Sequence, residues 1–318
     1  MPTRQAERVA RVAAIDCGTN SVRLLVADLD PGSGEQADVE RLLRIVRLGA
    51  GVDAALRLRD DAVARLLAVC DEYAAVIVRL GADRIRFCAT SAARDAGVTQ
   101  PLRRAVRERL GVEVEVLTGE AEARLTAAGA VRGVRGLGLP LPHLVVDIGG
   151  GSTELAVCTE TGVGAVHSLP VGSVRLTERL MLRQPDPEAS QAVRAAVDAA
   201  LRSARPATTE VASIAVVGGT GVTVAGLVLG VHRDDLARVH RAELSLADVL
   251  DACARLAAAS VEERAAMECM LPGRADVIGA GALVLERVVQ AVRRGLATDT
   301  LVVSTHDILD GIAWSAVA

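Results

Sequence analysis

The stretch VDIGGGST at residues 146–153 decides the fold, because a closely similar stretch, IDCGTNS, occurs at residues 15–21. In each copy an apolar run ends in an aspartate and a turn of small residues follows. Asp147 lies 131 positions after Asp16, and the same offset relates the glycines and the serines of the two turns. A second apolar run follows each turn, so each copy predicts two strands joined by a glycine-containing turn. The repeat predicts two related domains.

Each turn combines an aspartate at the end of a buried strand with backbone that carries little side-chain bulk. Such a turn can direct its N–H groups and small hydroxyls toward a phosphate. Two such turns predict a cleft in which phosphate is bound from both walls. The candidate phosphate-binding residues are Asp16, Gly18, Thr19, Asn20 and Ser21 in the first copy, and Gly149, Gly150, Gly151, Ser152 and Thr153 in the second.

Composition limits the class of protein. The 318 residues are 51% hydrophobic and 24% charged, which is typical of one large or two medium globular domains. All 36 basic residues are arginine, and the net charge is −4, which argues against a general nucleic-acid binder. The N-terminal apolar stretch is too short for a signal peptide, and no run approaches the ~18 apolar residues of a membrane span. We therefore expect a cytoplasmic protein with no nucleic-acid or membrane partner.

Hydrophobic periodicity predicts an α/β protein with a duplicated plan. Three consecutive strands, followed by alternating helices and strands, occur twice. The chain then closes with a strand at residues 300–304 and a helix at residues 306–316. The other predicted elements of the first half are strands at 9–15, 22–29, 39–48, 85–89 and 112–117 and helices at 60–80, 101–110 and 119–131; those of the second half are strands at 144–147, 153–158, 164–170 and 213–217 and helices at 173–183, 187–203 and 274–294.

These motifs together resemble the exopolyphosphatase / guanosine pentaphosphate phosphohydrolase (Ppx/GppA) family. The matching stretches occur in family order over nearly the whole chain: IDCGTNSVRLLV (15–26), FCATSAARDA (87–96), LTGEAEARL (117–125), VVDIGGGSTEL (145–155), LPVGSVRLTE (169–178), VGGTGVT (217–223), PGRADVIGAGA (272–282) and VSTHDILDG (303–311). The length resembles that of the short, two-domain members without a C-terminal helical extension.

The resemblance implies duplicated RNase H-like domains of the actin-like, sugar-kinase and heat-shock-ATPase superfamily, with an interdomain cleft. On this basis the first domain takes residues 1–125 plus 303–318, and the second takes residues 126–302. The resemblance also implies Mg²⁺ as cofactor and favours a homodimer.

Three carboxylates are the candidate catalytic and metal-binding groups. A hairpin would bring Asp147 and Glu154 together as a pair of hard oxygen donors for Mg²⁺, and the resemblance implies the same role. In the alternative interpretation, Asp147 only accepts hydrogen bonds from the turn and Glu154 is a solvated strand residue. The resemblance places the general base at Glu122, immediately before Ala-Arg, and not at Glu120; the alternative is an exposed Glu122 paired with an arginine.

Arginines must supply positive charge toward phosphate, because the chain has no lysine. Arg94, in the stretch that also contains Ser91, matches a substrate-contacting arginine of the family. Arg23, next to the first turn, is a further candidate, whereas Arg175 and Arg274 are weaker ones. In the second half, GGTGVT adds Gly219 and Thr220 as phosphate-binding candidates. Its extra-looking glycine, Gly221, departs from the family pattern and is expected to alter the contact made there.

The leading function is hydrolysis of the terminal phosphate of linear inorganic polyphosphate by in-line attack of water. The alternative within the family is hydrolysis of guanosine pentaphosphate. Outside it are an ATP-dependent sugar or acid kinase and a non-catalytic polyphosphate or nucleotide sensor. A Walker A loop is excluded because it needs a lysine, and Glu154 stands where a dinucleotide fingerprint needs its third glycine.

Overall fold

The computed structural model describes residues 9–180, 185–208 and 210–318. It divides into two compact units: Met1–Thr118 with Ile308–Ala318 (unit 1), and Gly119–Asp307 (unit 2). The predicted boundaries at 125/126 and 302/303 differ from those of the compact units by seven and five residues, so Glu122 lies in unit 2 and not in the predicted first domain. The end of the helix predicted at 173–183 lies outside the described residues.

Unit 1 is built on a five-stranded sheet in the order β3-β2-β1-β4-β5. The first three strands are antiparallel neighbours, whereas β4 and β5 continue the sheet in parallel with β1. Both faces of β1 are buried because its residues alternate between two helical layers. The strands are β1 (Ala10–Cys17), β2 (Ser21–Asp30), β3 (Glu35–Ile45), β4 (Arg84–Ala89) and β5 (Val114–Val116).

Helices cover the two faces of this sheet. The long helix α2 and helix α4 pack together over one face, where Tyr73 donates a hydrogen bond to the Val22 carbonyl at 2.9 Å. The C-terminal helix α12 covers the other face against β1 and β2, so the chain returns to unit 1. The helices of unit 1 are α1 (Val52–Ala55), α2 (Asp60–Leu80), α3 (Ser91–Ala96), α4 (Gln100–Leu110) and α12 (Ile308–Ser315).

Unit 2 repeats the plan with a six-stranded sheet in the order β8-β7-β6-β9-β11-β10. Again three antiparallel strands are followed by two parallel ones, and β10 adds an antiparallel edge. The strands are β6 (His143–Ile148), β7 (Thr153–Thr159), β8 (Gly162–Leu169), β9 (Ser213–Val217), β10 (Ala242–Ser245) and β11 (Thr300–Val303). The shared strand order confirms the predicted duplicated RNase H-like α/β fold.

One helix covers one face of the unit 2 sheet and several cover the other. Helix α5 packs on β7 and β8. Leu144 and Val146 of β6 face the larger helical layer, whereas Val145 faces α5. A short 3₁₀ segment lies at Arg233–Val239. The helices of unit 2 are α5 (Gly119–Gly133), α6 (Ser173–Leu180), α7 (Pro187–Thr208), α8 (Gly218–Leu229), α9 (Leu246–Ala258), α10 (Val261–Ala265) and α11 (Ile278–Val292).

In the described ranges, no helix is long and apolar enough to cross a membrane.

Candidate functional site

The glycine turns of the two units have the same backbone geometry. Gly149 N–H donates to the Ser152 carbonyl at 3.0 Å, and Gly18 N–H donates to the Ser21 carbonyl at 2.9 Å. A Cβ at Gly149 or Gly18 would lie 3.1 or 3.2 Å from that carbonyl oxygen, tighter than an ordinary contact. The sequence repeat therefore corresponds to a repeated turn, which is closed by a hydrogen bond from the first glycine to the serine three residues later.

The start of α6 fixes the carbonyl groups of the unit 2 turn. The N–H groups of Ser173, Val174 and Arg175 donate to the Gly149 and Gly150 carbonyls at 2.8–3.0 Å. The Arg175 Nε donates to the Gly151 carbonyl at 2.6 Å. Because these carbonyl oxygens accept hydrogen bonds from the start of α6, the turn is held in one orientation.

Strand alternation directs the two paired carboxylates of unit 2 toward α5. Asp147 and Glu154 are directly opposite each other on β6 and β7. Val145 on β6 and Ala156 on β7 pack with α5 residues, and side chains two positions apart share a face of the sheet. The carboxylates of Asp147 and Glu154 therefore lie on the face that α5 covers. Glu122, in the first turn of α5, is itself buried.

The three carboxylates influence one another electrostatically. The pKa of Glu154 is raised well above its usual value, first by burial and then by the negative charges of Glu122 and Asp147. Hydrogen bonds from Ser152 and Ser168 lower the pKa of Glu154 and so oppose part of this increase. The Ser168 Oγ lies 2.7 Å from Glu154 Oε1. The structure thus groups three carboxyl groups beside the glycine turn, and ionising all three together is unfavourable.

The exposure that the alternative interpretations assumed for Glu154 and Glu122 is wrong. Glu154 is only 3% exposed and Glu122 only 7%, so neither is a solvated surface carboxylate. The surface ion pair of this helix is instead formed by Glu120 and Arg124, which are four residues apart at 3.0 Å.

The donor chemistry of the pair fits Mg²⁺, which prefers carboxylate oxygens and completes its shell with water and substrate phosphates. Within the described residues, no three His, Cys, Asp or Glu side chains converge closely enough to bind an ion by themselves. Asp147 and Glu154 are the residues that would hold Mg²⁺ if the ion binds at this site.

A third glycine-rich element lies beside Asp147. Gly218 has a φ of +74°, and a Cβ there would lie 2.2 Å from Asp147 Oδ1. A Cβ at Gly219 would overlap the guanidinium of Arg274. Thr220 is buried, and its Oγ1 donates to the Ile148 carbonyl at 3.4 Å. This element is therefore connected to the strand before the unit 2 turn through Thr220. The guanidinium of Arg274 lies next to Gly219 of the same element.

Gly221, where the sequence departs from the family pattern, lies within a helix. GGTGVT forms the first turns of α8. A Cβ at Gly221 would approach Val216 Cγ1 to 2.6 Å, so this glycine allows the helix to pack closely on β9. It has a packing role within the unit 2 core.

At the position in unit 1 that corresponds to the carboxylate pair, an aspartate faces an arginine. Asp16 and Arg23 are opposite each other on β1 and β2, as Asp147 and Glu154 are on β6 and β7. The Arg23 Nη2 lies 2.7 Å from Asp16 Oδ2, and Arg23 Nε lies 3.0 Å from the same oxygen. The aspartate of unit 1 is therefore neutralised by an arginine of its own sheet.

The other predicted residues of unit 1 lie around the first turn. Thr19 and Ser91 are buried, with their hydroxyl oxygens 2.7 Å apart. The Asn20 carbonyl accepts N–H groups from residues 46 and 47. Arg94 lies in α3, and its Nη1 donates a hydrogen bond to the Leu117 carbonyl oxygen at 2.8 Å. The structure thus joins the first turn to α3 and groups the predicted residues into one set in each unit.

Sequence reasoning missed three residues that shape the unit 2 set. Ser168 bonds Glu154 from the neighbouring strand, Gly172 lies against the turn, and Gly218 leaves room for Asp147. Gly172 and Gly218 lie in stretches that carry the family resemblance, and this is the signal that could have found them.

Comparisons with known proteins identify the family of the chain. The model of the Ppx/GppA phosphatase family matches residues 25–316. The chain is 43% identical to Exopolyphosphatase 2 of Mycobacterium tuberculosis, over 96% of this chain and 98% of that protein.

Solved structures give the same result. A crystal structure of an exopolyphosphatase-like protein matches with a TM-score of 0.88 and 36% identity, over 96% of this chain and 98% of the other. The Ppx-GppA enzyme of Aquifex aeolicus matches with a TM-score of 0.80 and 29% identity, over 96% and 99% of the two chains. The chain therefore belongs to the Ppx/GppA phosphatase family and is a phosphohydrolase.

Proposed function

We propose that this chain is an exopolyphosphatase that removes the terminal phosphate of linear inorganic polyphosphate with Mg²⁺ as cofactor. One observation carries the proposal: Glu122, Asp147 and Glu154 are buried together beside a glycine turn. The name of the M. tuberculosis relative supports polyphosphate as the substrate class.

The chemistry requires a base, charge neutralisation and an aligned water. Glu122 accepts a proton from the water as its oxygen bonds to the terminal phosphorus. The bond from that phosphorus to the bridging oxygen breaks, and the shortened chain leaves with the electron pair. Orthophosphate and a polyphosphate shorter by one unit are the products.

Binding and orientation fall to the remaining residues. The N–H groups of the turn at Gly149–Gly151 orient phosphate oxygens, and Thr220 supports the turn from α8. Asp147 and Glu154 would hold Mg²⁺, which when bound neutralises negative charge on the phosphates. In unit 1, the corresponding residues are the first turn, Ser91 and Arg94.

The test measures phosphate release at a fixed Mg²⁺ concentration from long polyphosphate, short polyphosphate, guanosine pentaphosphate and ATP. We expect the highest kcat/KM on polyphosphate. Faster hydrolysis of guanosine pentaphosphate would favour the alternative function that the resemblance implies. Phosphate transfer from ATP to an added sugar or acid, or no turnover of any compound, would contradict the proposal.

A cytoplasmic location and a homodimer stay predictions. Fractionation and light scattering test them.

A further inference from the structure

Helix α5 directs one row of residues toward the edge of the unit 2 sheet where Asp147 lies. Glu122 and Thr126 are four residues apart and therefore share a face of the helix. Gly133 follows Thr126 by seven residues, about two helical turns, so it points in nearly the same direction. A Cβ at Gly133 would overlap the hydroxyl of Ser304, which directly follows β11. Because β11 and β6 both run parallel to β9, Ser304 and Asp147 lie at the same edge of the sheet.

Thr126 has a buried hydroxyl group for which the described residues offer no hydrogen-bond partner. The residue is only 1% exposed. A threonine within a helix commonly donates to the carbonyl four residues earlier, as Thr223 of α8 does to Gly219 at 2.8 Å. Thr126 makes no such bond to the Glu122 carbonyl. Because buried hydroxyls are normally satisfied, the partner open to Thr126 is a water molecule or a substrate atom.

In-line attack sets two requirements on the orientation of the water. One of its O–H bonds must point at the base, and the other must point away from phosphorus so that an oxygen lone pair faces the reacting atom. Cβ atoms four residues apart on a helix are separated by about 5–6 Å, a gap that one water can bridge with two hydrogen bonds of about 2.8 Å. A water held by Glu122 can therefore also reach Thr126.

We propose that Thr126 orients the attacking water by accepting its second hydrogen bond. Glu122 accepts the first hydrogen bond and then the proton, while Thr126 keeps its own proton. A hydroxyl oxygen suits this role because it can accept a hydrogen bond without taking the proton from water. The inference rests on the proposed function, in which Glu122 is the base, and adds a second residue that acts on the same water.

The test compares Thr126→Val and Thr126→Ser with the wild type in phosphate release from polyphosphate at saturating Mg²⁺. Valine keeps the shape of threonine without the hydroxyl, whereas serine keeps the hydroxyl. We expect Thr126→Val to lower kcat by about 10–100-fold, because a misaligned nucleophile reacts slowly, and to change KM by less than about twofold. Thr126→Ser should retain at least about a third of the wild-type kcat, because the acceptor oxygen remains.

Urea unfolding without substrate separates this role from a structural one. Thr223→Val is the matched control for stability, because it removes a buried helical hydroxyl that has a partner. Thr126→Val should unfold at the wild-type urea concentration or above it, whereas Thr223→Val should unfold below it. A lower unfolding midpoint for Thr126→Val, with a loss of turnover that serine does not restore, would show a structural role and overturn the proposal.

A double variant tests whether the two residues act on one water. Glu122→Gln combined with Thr126→Val should turn over no more than about threefold more slowly than Glu122→Gln alone, because losses at residues that act as a unit do not multiply. Losses that multiply in the double variant would overturn the proposal. So would a kcat of Thr126→Val within about twofold of the wild type.

Failure of the proposed function would be seen in a different protein sample, the wild type. It would appear there as slower hydrolysis of polyphosphate than of guanosine pentaphosphate. The variants are then compared on guanosine pentaphosphate, and the same outcomes decide the role of Thr126.

Discussion

Replacing Gly172 with alanine tests whether the unit 2 turn depends on close approach of backbone. A Cβ at this position would lie 2.5 Å from the Gly150 carbonyl oxygen and 2.6 Å from the carbonyl carbons of Gly150 and Gly151. Ordinary contacts begin at 3.4 Å, so the turn and the start of α6 must separate by about 0.9 Å. All three close atoms are backbone, so no flexible side chain can move away.

The hydrogen bonds across this contact set the magnitude. Those from the N–H groups of Ser173 and Val174 to the turn are 2.9 and 2.8 Å long, and that from Arg175 Nε is 2.6 Å long. A separation of this size stretches them to about 3.5–3.8 Å, where hydrogen bonds are weak. Each of the three contributes about 0.5–1.5 kcal/mol, so we expect a loss of about 1.5–4.5 kcal/mol. Displacement of the turn should also lower turnover by about 10²-fold.

The assay combines urea unfolding with phosphate release from polyphosphate. Gly164→Ala is the matched control, because its Cβ would meet only one atom, the Val157 carbonyl oxygen at 3.3 Å, and should cost under about 1 kcal/mol. If Gly172→Ala unfolds at the wild-type urea concentration and retains wild-type turnover, the turn is not held by this contact and the reasoning is refuted.

Three further predictions concern the carboxylates and His143, a buried histidine at the start of β6 whose ring nitrogens accept and donate no hydrogen bond within the described residues. Glu122→Gln should lower turnover by about 10²–10⁴-fold with substrate binding largely kept, whereas Glu120→Gln, on the exposed side of the same helix, should stay near wild type; retention of a tenth of the wild-type turnover by Glu122→Gln would contradict its role as base. Asp147→Asn and Glu154→Gln should each raise the half-saturating Mg²⁺ concentration for activity, since a neutral amide cannot replace a carboxylate ligand; unchanged Mg²⁺ titrations in both would show that substrate alone binds the ion. His143→Phe should raise the unfolding free energy by about 1 kcal/mol at pH 7.5 by removing unsatisfied nitrogens. Because burial holds the pKa of His143 below its usual 6.5, the wild type should lose stability as pH falls below 6.5, where the unfolded chain takes up the proton, and the advantage of the variant should be larger at pH 5.5; equal differences in Tm at the two pH values would contradict this.

Much of the fold follows from local pattern. The helix predicted at 60–80 coincides with α2, and the strand predicted at 213–217 coincides with β9. The strand β10 and the helix α9 are absent from the prediction. The four residues of β10 form only an edge of the sheet, so their position depends on pairing with β11. The glycines of GGTGVT have a low intrinsic helix propensity, yet these residues form the first turns of α8, where Gly221 leaves room for Val216 of β9.

Some features of the candidate site can likewise be predicted from the sequence, whereas others depend on packing. Two carboxylates seven residues apart across a tight turn must face each other on a hairpin, so Asp147 and Glu154 can be paired from sequence. The burial of Glu122 cannot, because its EAEAR surroundings are equally typical of an exposed helix, and only packing of α5 on the sheet removes it from water. Ser168 and Gly172 act through neighbours that sequence spacing does not specify.

The comparison of the two turns explains why one half of the duplicated chain is suited to bind a cation. Both halves place an aspartate at the end of a strand and a partner directly opposite it on the next strand. In unit 1 the partner is Arg23, and the resulting ion pair with Asp16 leaves no net charge. In unit 2 the partner is Glu154, so the same geometry brings two like charges together, and burial makes their repulsion stronger. A divalent cation would relieve that repulsion, whereas at Asp16 it would have to displace an arginine. A single difference in charge at one position of the repeat thus separates a structural ion pair from a candidate metal site.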